Sequence, residues 1–364
     1  MIGNPPFLTK LRRATAGDPS RQAARSARLG DAPPAYIDEA ALFLVLALRL
    51  ARPDGGRVAL VQPMATLATR DSGWARSQVL KRAALEKVWM STSSVFAADV
   101  PTCALGLHRG ATQGAVDRTL GEECAPLAPM ILPRGATWSP LLADALGVPA
   151  LDLTIEGSVG DIASVAADFR DEFYEIASLV EEGADGAQVV TTGLIDPGRS
   201  RWGEVPATIA GRRLMRPTVN VPALSARLRD RLVPKVVVAT QTRVIEAAVD
   251  ATGAWLPATP VISVVAESGR LWPIAAALNS PPLSAWAATQ HLGAARSSTA
   301  LKLSAREVRT LPLPARSSTW DQAAAALQAS DLLRSAQLMC EAYGVDEAVF
   351  RWWKDRLPRR LARR

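Results

Sequence analysis

The stretch Pro53-Asp54-Gly55-Gly56-Arg57-Val58-Ala59-Leu60-Val61-Gln62-Pro63 decides the fold. Its last seven residues read as a short buried strand stopped by proline, and its first four as the turn that feeds it. Just before it, Tyr36 to Arg52 places Ile37, Ala40, Ala41, Leu44, Val45 and Leu48 at helical spacing and is apolar almost all round. A helix buried against a sheet has that character. Downstream, a second helical pattern runs from about Asp71 to Leu85, and Leu85 to Met90 reads as a strand. Pro101 to Leu107 reads as another, after a loop containing Phe96 and Asp99. Strands and helices alternating through short turns predict an open α/β sheet.

Upstream of the helix the chain opens Met1-Ile2-Gly3-Asn4-Pro5-Pro6-Phe7. Asn-Pro-Pro followed by an aromatic residue can hold an exocyclic amine. The amide oxygen accepts a hydrogen bond, the prolines fix φ and aim a carbonyl outward, and the ring stacks on a planar base. The same residues can also make a plain turn, because Asn-Pro commonly starts turns.

The heptad resembles the catalytic loop of the gamma-type adenine-N6 DNA methyltransferases of restriction–modification and related phage-defence systems. The series of loop, buried helix, Gly-Gly turn, strand, helix and Phe96-Ala97-Ala98-Asp99-Val100-Pro101-Thr102 hairpin is similar to the latter half of their catalytic domain. The resemblance implies a target adenine flipped out of duplex DNA, since its amino group is otherwise engaged in base pairing. Asn4 Oδ1 and the Pro5 carbonyl would accept the two amine N–H bonds, with Pro5 and Pro6 fixing the backbone and Phe7 stacking on the ring. The amine, made pyramidal, would then attack the methyl sulfonium of S-adenosylmethionine, with no metal and no general base required. One departure stands out. In the family, a strand–glycine turn–helix unit that holds S-adenosylmethionine precedes this loop, whereas here the loop is at residue 4 and Gly55-Gly56 precedes a strand. The expectation is therefore the C-terminal part of a doubly wound methyltransferase sheet, a fragment or split subunit that needs a separate cofactor-binding half.

Formal charge is +7, with a pI of about 9.8, and Lys supplies only six of the 42 basic residues. Arginine forks suit phosphates and guanine edges, while a GC-rich coding sequence inflates arginine for no functional reason. Composition fits both. Three cysteines far apart, Cys103, Cys124 and Cys340, fit neither a disulfide framework nor a zinc site, so a reducing compartment is expected. Without a long apolar run or a signal-peptide pattern, the expected location is the cytoplasm, with no membrane partner.

The domain scheme expected is residues 1–110 for the methyltransferase half, then 111–183 for a connection poor in structure and a bridging helix. Residues 184–316 would form a mixed α+β target-recognition domain and 317–364 C-terminal helices with a basic tail. The bridging helix is placed over Asp161 to Gly183, where Ile162, Val165, Phe169, Phe173, Ile176 and Leu179 make one stripe. Beyond it, β-rich runs set between Pro and Gly resemble the recognition domain of restriction–modification enzymes. Candidate contacts to double-stranded DNA are Gln241 and Arg243, Arg296 and Ser297, and Arg212 and Arg213. Taken one at a time, each loop reads more readily as a solvated turn than as a base contact. Two readings follow: a site-specific adenine methyltransferase, or a non-catalytic DNA-binding specificity protein derived from one. The first predicts that the isolated chain binds S-adenosylmethionine only weakly, and low-micromolar binding by isothermal titration would overturn that expectation.

Overall fold

A computed structural model describes residues 1–7, 27–29, 33–34, 37–93, 95–96, 100–133, 137–167, 170–291, 300–358 and 361. The chain divides into two units, Met1–Val148 with Ala288–Ala300, and Pro149–Ala287 with Leu301–Arg364.

In the first unit the helix Glu39–Leu50 starts where the Asp38 carboxylate accepts the Ala40 N–H at 2.8 Å. It ends at Ala51, just ahead of the Arg52-Pro53 pair that disfavours further helix. Its near-uniform apolar character has a structural reason. Leu44, Ala47 and Leu48 pack on the sheet core, whereas Ala41, Leu42 and Val45 join a second cluster with Ile37 and Ala75. Gly55 then takes a φ of +73°, and a Cβ at Gly56 would sit 2.3 Å from the Arg52 carbonyl oxygen, so the turn requires both glycines.

The turn delivers the chain into a sheet of β1 (Ile2–Gly3), β2 (Arg57–Pro63), β3 (Ala83–Met90), β4 (Thr102–Arg109), β5 (Ala115–Leu120) and β6 (Ala125–Ile131). Their order is β1-β2-β4-β3-β5-β6. β1 runs parallel to β2 and β3 to β5, and the other three pairings are antiparallel. The sheet is thus mixed. No helix occupies the described residues between β3 and β4, so β4 returns antiparallel between β2 and β3 instead of crossing over. Buried Gln62 of β2 donates from Nε2 to the Ala40 carbonyl at 3.1 Å and ties the helix to the strand.

Two expectations fail at the level of elements. Residues 110–149 are not poor in structure: β5 and β6 extend the sheet, and buried Arg118 pairs with Asp144 at 2.7 Å to hold the short helix Pro140–Ala143 beside them. β6 carries one residue more than β5 between Arg118 and Val116, and Pro129 falls in that irregularity, which is where a strand tolerates proline. The single amphipathic helix over Asp161 to Gly183 is also absent. Helix Val159–Ile162 stops at extended Ala163, Ser164–Ala167 pairs antiparallel with Ile262–Val265, and a new helix spans Arg170–Leu179. Phe169 lies outside the described residues.

The second unit contains two four-stranded sheets. One holds Lys235–Val238 between Ala247–Asp250 and Ile262–Val265, with Ser164–Ala167 at its edge. The other joins Trp255–Pro257, Ala187–Val190, Pro217–Val219 and Glu181–Glu182. Helix Leu271–Leu278 is pinned at its C-terminus by Asn279, whose amide exchanges two hydrogen bonds with the Ala247 backbone. At the start of the central strand, Lys235 Nζ meets Asp250 at 2.8 Å, both side chains only 1% exposed. The same carboxylate accepts the N–H groups of Gly253, Ala254 and Trp255. Asp250→Ala should strand a buried ammonium and three amides and lower stability by about 3–5 kcal/mol. Urea unfolding of the full chain checks this, and a loss under about 1 kcal/mol would show the pair to be dispensable.

Candidate functional site

β1 is only two residues long, yet its position is fixed. Ile2 and Gly3 register against Ala59 and Leu60, the Met1 amino group donates to the Arg57 carbonyl at 2.7 Å, and Ala59 N–H donates to the Met1 carbonyl at 2.8 Å. A Cβ on Gly3 would press on Leu60 Cδ2 at 3.2 Å, so glycine lets β1 lie close to its neighbour. The loop Asn4-Pro5-Pro6-Phe7 leaves the C-terminal end of this strand. Pro5 is buried, Asn4 and Pro6 are exposed, and Phe7 is half-buried.

The partner of Phe7 is Phe96. The ring centroids are 5.8 Å apart and the planes meet at 88°, an edge-to-face pair. Topology explains the meeting. β4 begins with Thr102 opposite Pro63, and β3 ends with Met90 opposite Cys103, so the β3–β4 loop emerges at the sheet end where β1 stops. The sequence placed Phe96 in a loop but gave no sign of this contact. Asp99, in the same loop, lies outside the described residues.

Other chemically capable groups of this unit are elsewhere or occupied. His108 pairs with Arg57 at the opposite end of β2 and binds Glu86 at 2.7 Å through Nδ1. Burial pushes the Cys103 thiol up to about 12, as it does Cys340 in the second unit, so both stay protonated at neutral pH. Arg76 is buried and lowered to about 10 by desolvation, and it donates to the Thr66 and Thr69 carbonyls at the end of helix Ala65–Ala68. Among the described residues no group of three His, Cys, Asp or Glu could hold a metal ion, and no helix is long and apolar enough to cross a membrane.

In the second unit, Gln241–Thr242 pairs antiparallel with Leu301–Lys302, so Gln241 stands opposite Lys302. Gln241, Arg243 and Lys302 are exposed. Arg212 and Arg213 sit on the hairpin of Ala207–Ile209 with Arg212–Leu214, both exposed, although Arg212 spends one donor on the Val180 carbonyl at 2.9 Å. The neighbouring arginines are committed, Arg199 to Glu204 and Arg201 to Asp196. Arg296 and Ser297 lie outside the described residues. Nothing described joins the Gln241 strand to the Arg212 hairpin.

No protein-family model matches the chain, and no curated protein does. Among solved structures, the type IIL restriction-modification enzyme MmeI in complex with DNA aligns over 96% of this chain and 54% of its own, at 12% identity and a TM-score of 0.57. The DrdV–DNA complex aligns over 92% of this chain and 44% of its own at 11% identity, with a TM-score of 0.45. The type IIG restriction endonuclease BpuSI aligns over 98% and 54% at 12% identity, with a TM-score of 0.33. The chain spans about half the length of MmeI, and the mixed α/β fold described above is one that a restriction-modification enzyme also adopts.

Proposed function

We propose that this chain is the target-base and DNA-recognition part of a site-specific adenine-N6 DNA methyltransferase acting on duplex DNA in the cytoplasm. The observation that carries the reading is the placement of Asn4-Pro5-Pro6-Phe7 at the end of a strand, with Phe96 brought against Phe7 from the β3–β4 loop. An exposed amide, a carbonyl held by buried Pro5 and a half-buried ring make a receptor for a planar base with an exocyclic amine. Asn4 Oδ1 and the Pro5 carbonyl accept the amine hydrogens, which favours the pyramidal nitrogen over the planar one. The edge-to-face contact with Phe96 limits how Phe7 can tilt, so the ring is ready for stacking before the base arrives. Support also comes from the fold likeness to MmeI, whose structure is a complex with DNA.

S-adenosylmethionine would supply the methyl group, but the described residues offer it no fitted cradle. The Gly55-Gly56 turn joins a helix to a strand, the reverse of the order in which a glycine turn meets a nucleotide at a helix N-terminus. In this reading the donor is held by further polypeptide, in cis or as a separate half. Residues 184–316 act as the recognition domain, with Gln241, Arg243, Arg212, Arg213, Arg296 and Ser297 as candidate DNA contacts.

DNA from cells that express the chain together with its upstream reading frame should carry N6-methyladenine at one sequence, as read by methylation-sensitive sequencing. Asn4→Ala should cut methylation by on the order of a hundredfold or more while leaving DNA affinity nearly intact, since it removes an acceptor used mainly in the transition state. Normal methylation by that variant would leave the non-catalytic specificity protein as the better reading. Phe96→Ala should lower kcat/KM by about two- to tenfold, the equivalent of one edge-to-face pair, and Phe96→Tyr should restore it. Wild-type kcat/KM for Phe96→Ala would remove the pair from the site.

A further inference from the structure

The hairpin of Ala207–Ile209 with Arg212–Leu214 turns through only two residues, Ala210 and Gly211. Both have positive φ, +50° and +80°, as the type I′ turn that suits a twisted two-stranded ribbon requires. Glycine takes that backbone freely, and asparagine or aspartate is common at the first position because a short polar side chain tolerates it. Alanine has no such compensation, so the chain keeps a strained residue at the tip. The result is a tip that carries nothing larger than a methyl group. Ala210 and Gly211 are exposed, and a Cβ on Gly211 would meet no atom within 4 Å.

Below the tip the ribbon has two unlike faces, because side chains directly opposite each other across an antiparallel pair lie on the same side. Ala207 and Leu214, opposite each other, and Ile209 are buried in one apolar cluster. Arg212, opposite Ile209, turns back on that side and donates to the Val180 carbonyl at 2.9 Å. Thr208 and Arg213 stand opposite each other on the other face, and both are exposed. The base of the ribbon is held too: Glu182 accepts the N–H groups of Met215 and Arg216 at 2.7 and 2.9 Å, just past the second strand. A hydroxyl and a guanidinium are thus set side by side on a narrow, anchored ribbon. Such a ribbon fits the major groove of B-DNA, about 12 Å wide, and is too broad for the undistorted minor groove of about 6 Å.

We propose that the tip of this hairpin enters the major groove of duplex DNA and that Arg213 reads a guanine there through O6 and N7, with Thr208 against the neighbouring base pair. The assignment rests on the DNA-binding reading given above and deepens it. Of the two candidate arginines on the hairpin, Arg213 meets the base and Arg212 ties the ribbon to its scaffold.

Selection from a randomised duplex pool gives the site that the full chain prefers, and fluorescence anisotropy at fixed salt then measures that duplex and its single-base-pair variants. Arg213→Ala should lose discrimination of about tenfold or more at one G·C pair and keep it at the others. Replacing that guanine by 7-deazaguanine, which lacks the N7 acceptor, should weaken the wild-type chain severalfold and leave Arg213→Ala unchanged. Ala210→Asp suits the left-handed backbone but puts a carboxylate at the tip, and it should weaken binding to every duplex by about tenfold or more. Gln322→Glu makes the same change in net charge at an exposed helix position and should leave affinity within about twofold. Circular dichroism checks the fold of each variant, and if Ala210→Asp does not fold, Arg213→Ala with the 7-deazaguanine duplex carries the test. An Arg213→Ala variant that weakens all sequences alike and flattens the salt dependence marks a phosphate contact and overturns the base reading. A pool that yields no preferred sequence, unchanged preference in Arg213→Ala or unchanged affinity in Ala210→Asp overturns the hairpin assignment and leaves the DNA-binding reading standing. No binding of duplex by the wild-type chain at low salt overturns both.

Discussion

The Asn-Pro-Pro-Phe loop depends on backbone hydrogen bonding that spans two residues. Ile2 and Gly3 pair with β2, and the bonds of Met1 to Arg57 and Ala59 extend the ladder backwards by one residue. It cannot extend forwards in the same way, because Pro5 and Pro6 have no N–H to give. The chain therefore leaves the sheet where the prolines dictate, and Asn4 is exposed at that point. β2 holds firm enough to serve as the anchor because it is bonded on both edges and tied to the helix above it through Gln62. An interaction of a few hydrogen bonds thus decides where the proposed base receptor stands.

Much of the first unit was legible because its signals were local. The helix Glu39–Leu50, the glycine turn and β2 to β4 follow from apolar periodicity and from punctuation by Gly and Pro, and they appear where that pattern puts them. β5 and β6 were not legible. Five of the seven β6 residues are exposed and two of the seven are prolines, so the strand lacks the apolar alternation that would mark it. The stripe from Ile162 to Leu179 misled in the opposite way. Ser164-Val165-Ala166-Ala167 suits a helix locally, but its pairing with Ile262–Val265 overrides that preference. The contact of Phe7 with Phe96 joins segments remote in sequence and leaves no mark in spacing or composition.

A net charge of +7 describes the second unit poorly as a binding surface. Many of the arginines act inside the fold. In the second unit Arg231 bridges elements and Arg309 donates to the Val165 carbonyl; in the first, buried Arg118 bridges elements and Arg76 caps a short helix. Guanidinium suits this work because five fixed donors can satisfy several backbone carbonyls at once. The abundance of arginine over lysine thus has a structural cause as well as a compositional one. Attraction to an anionic polymer depends on the cations that no carboxylate neutralises, and their location matters as well as their total.

The irregular, proline-bearing β6 has a consequence for self-association. An outermost strand normally offers a continuous row of amide donors and carbonyl acceptors that a second copy can extend, the first step toward a fibril. In β6, Pro126 and Pro129 remove two donors from seven residues, and the extra residue bends the row out of register with any straight partner. Ile131, 73% exposed at the end of β6, can therefore stay in water without seeding edge-to-edge stacking of the sheet.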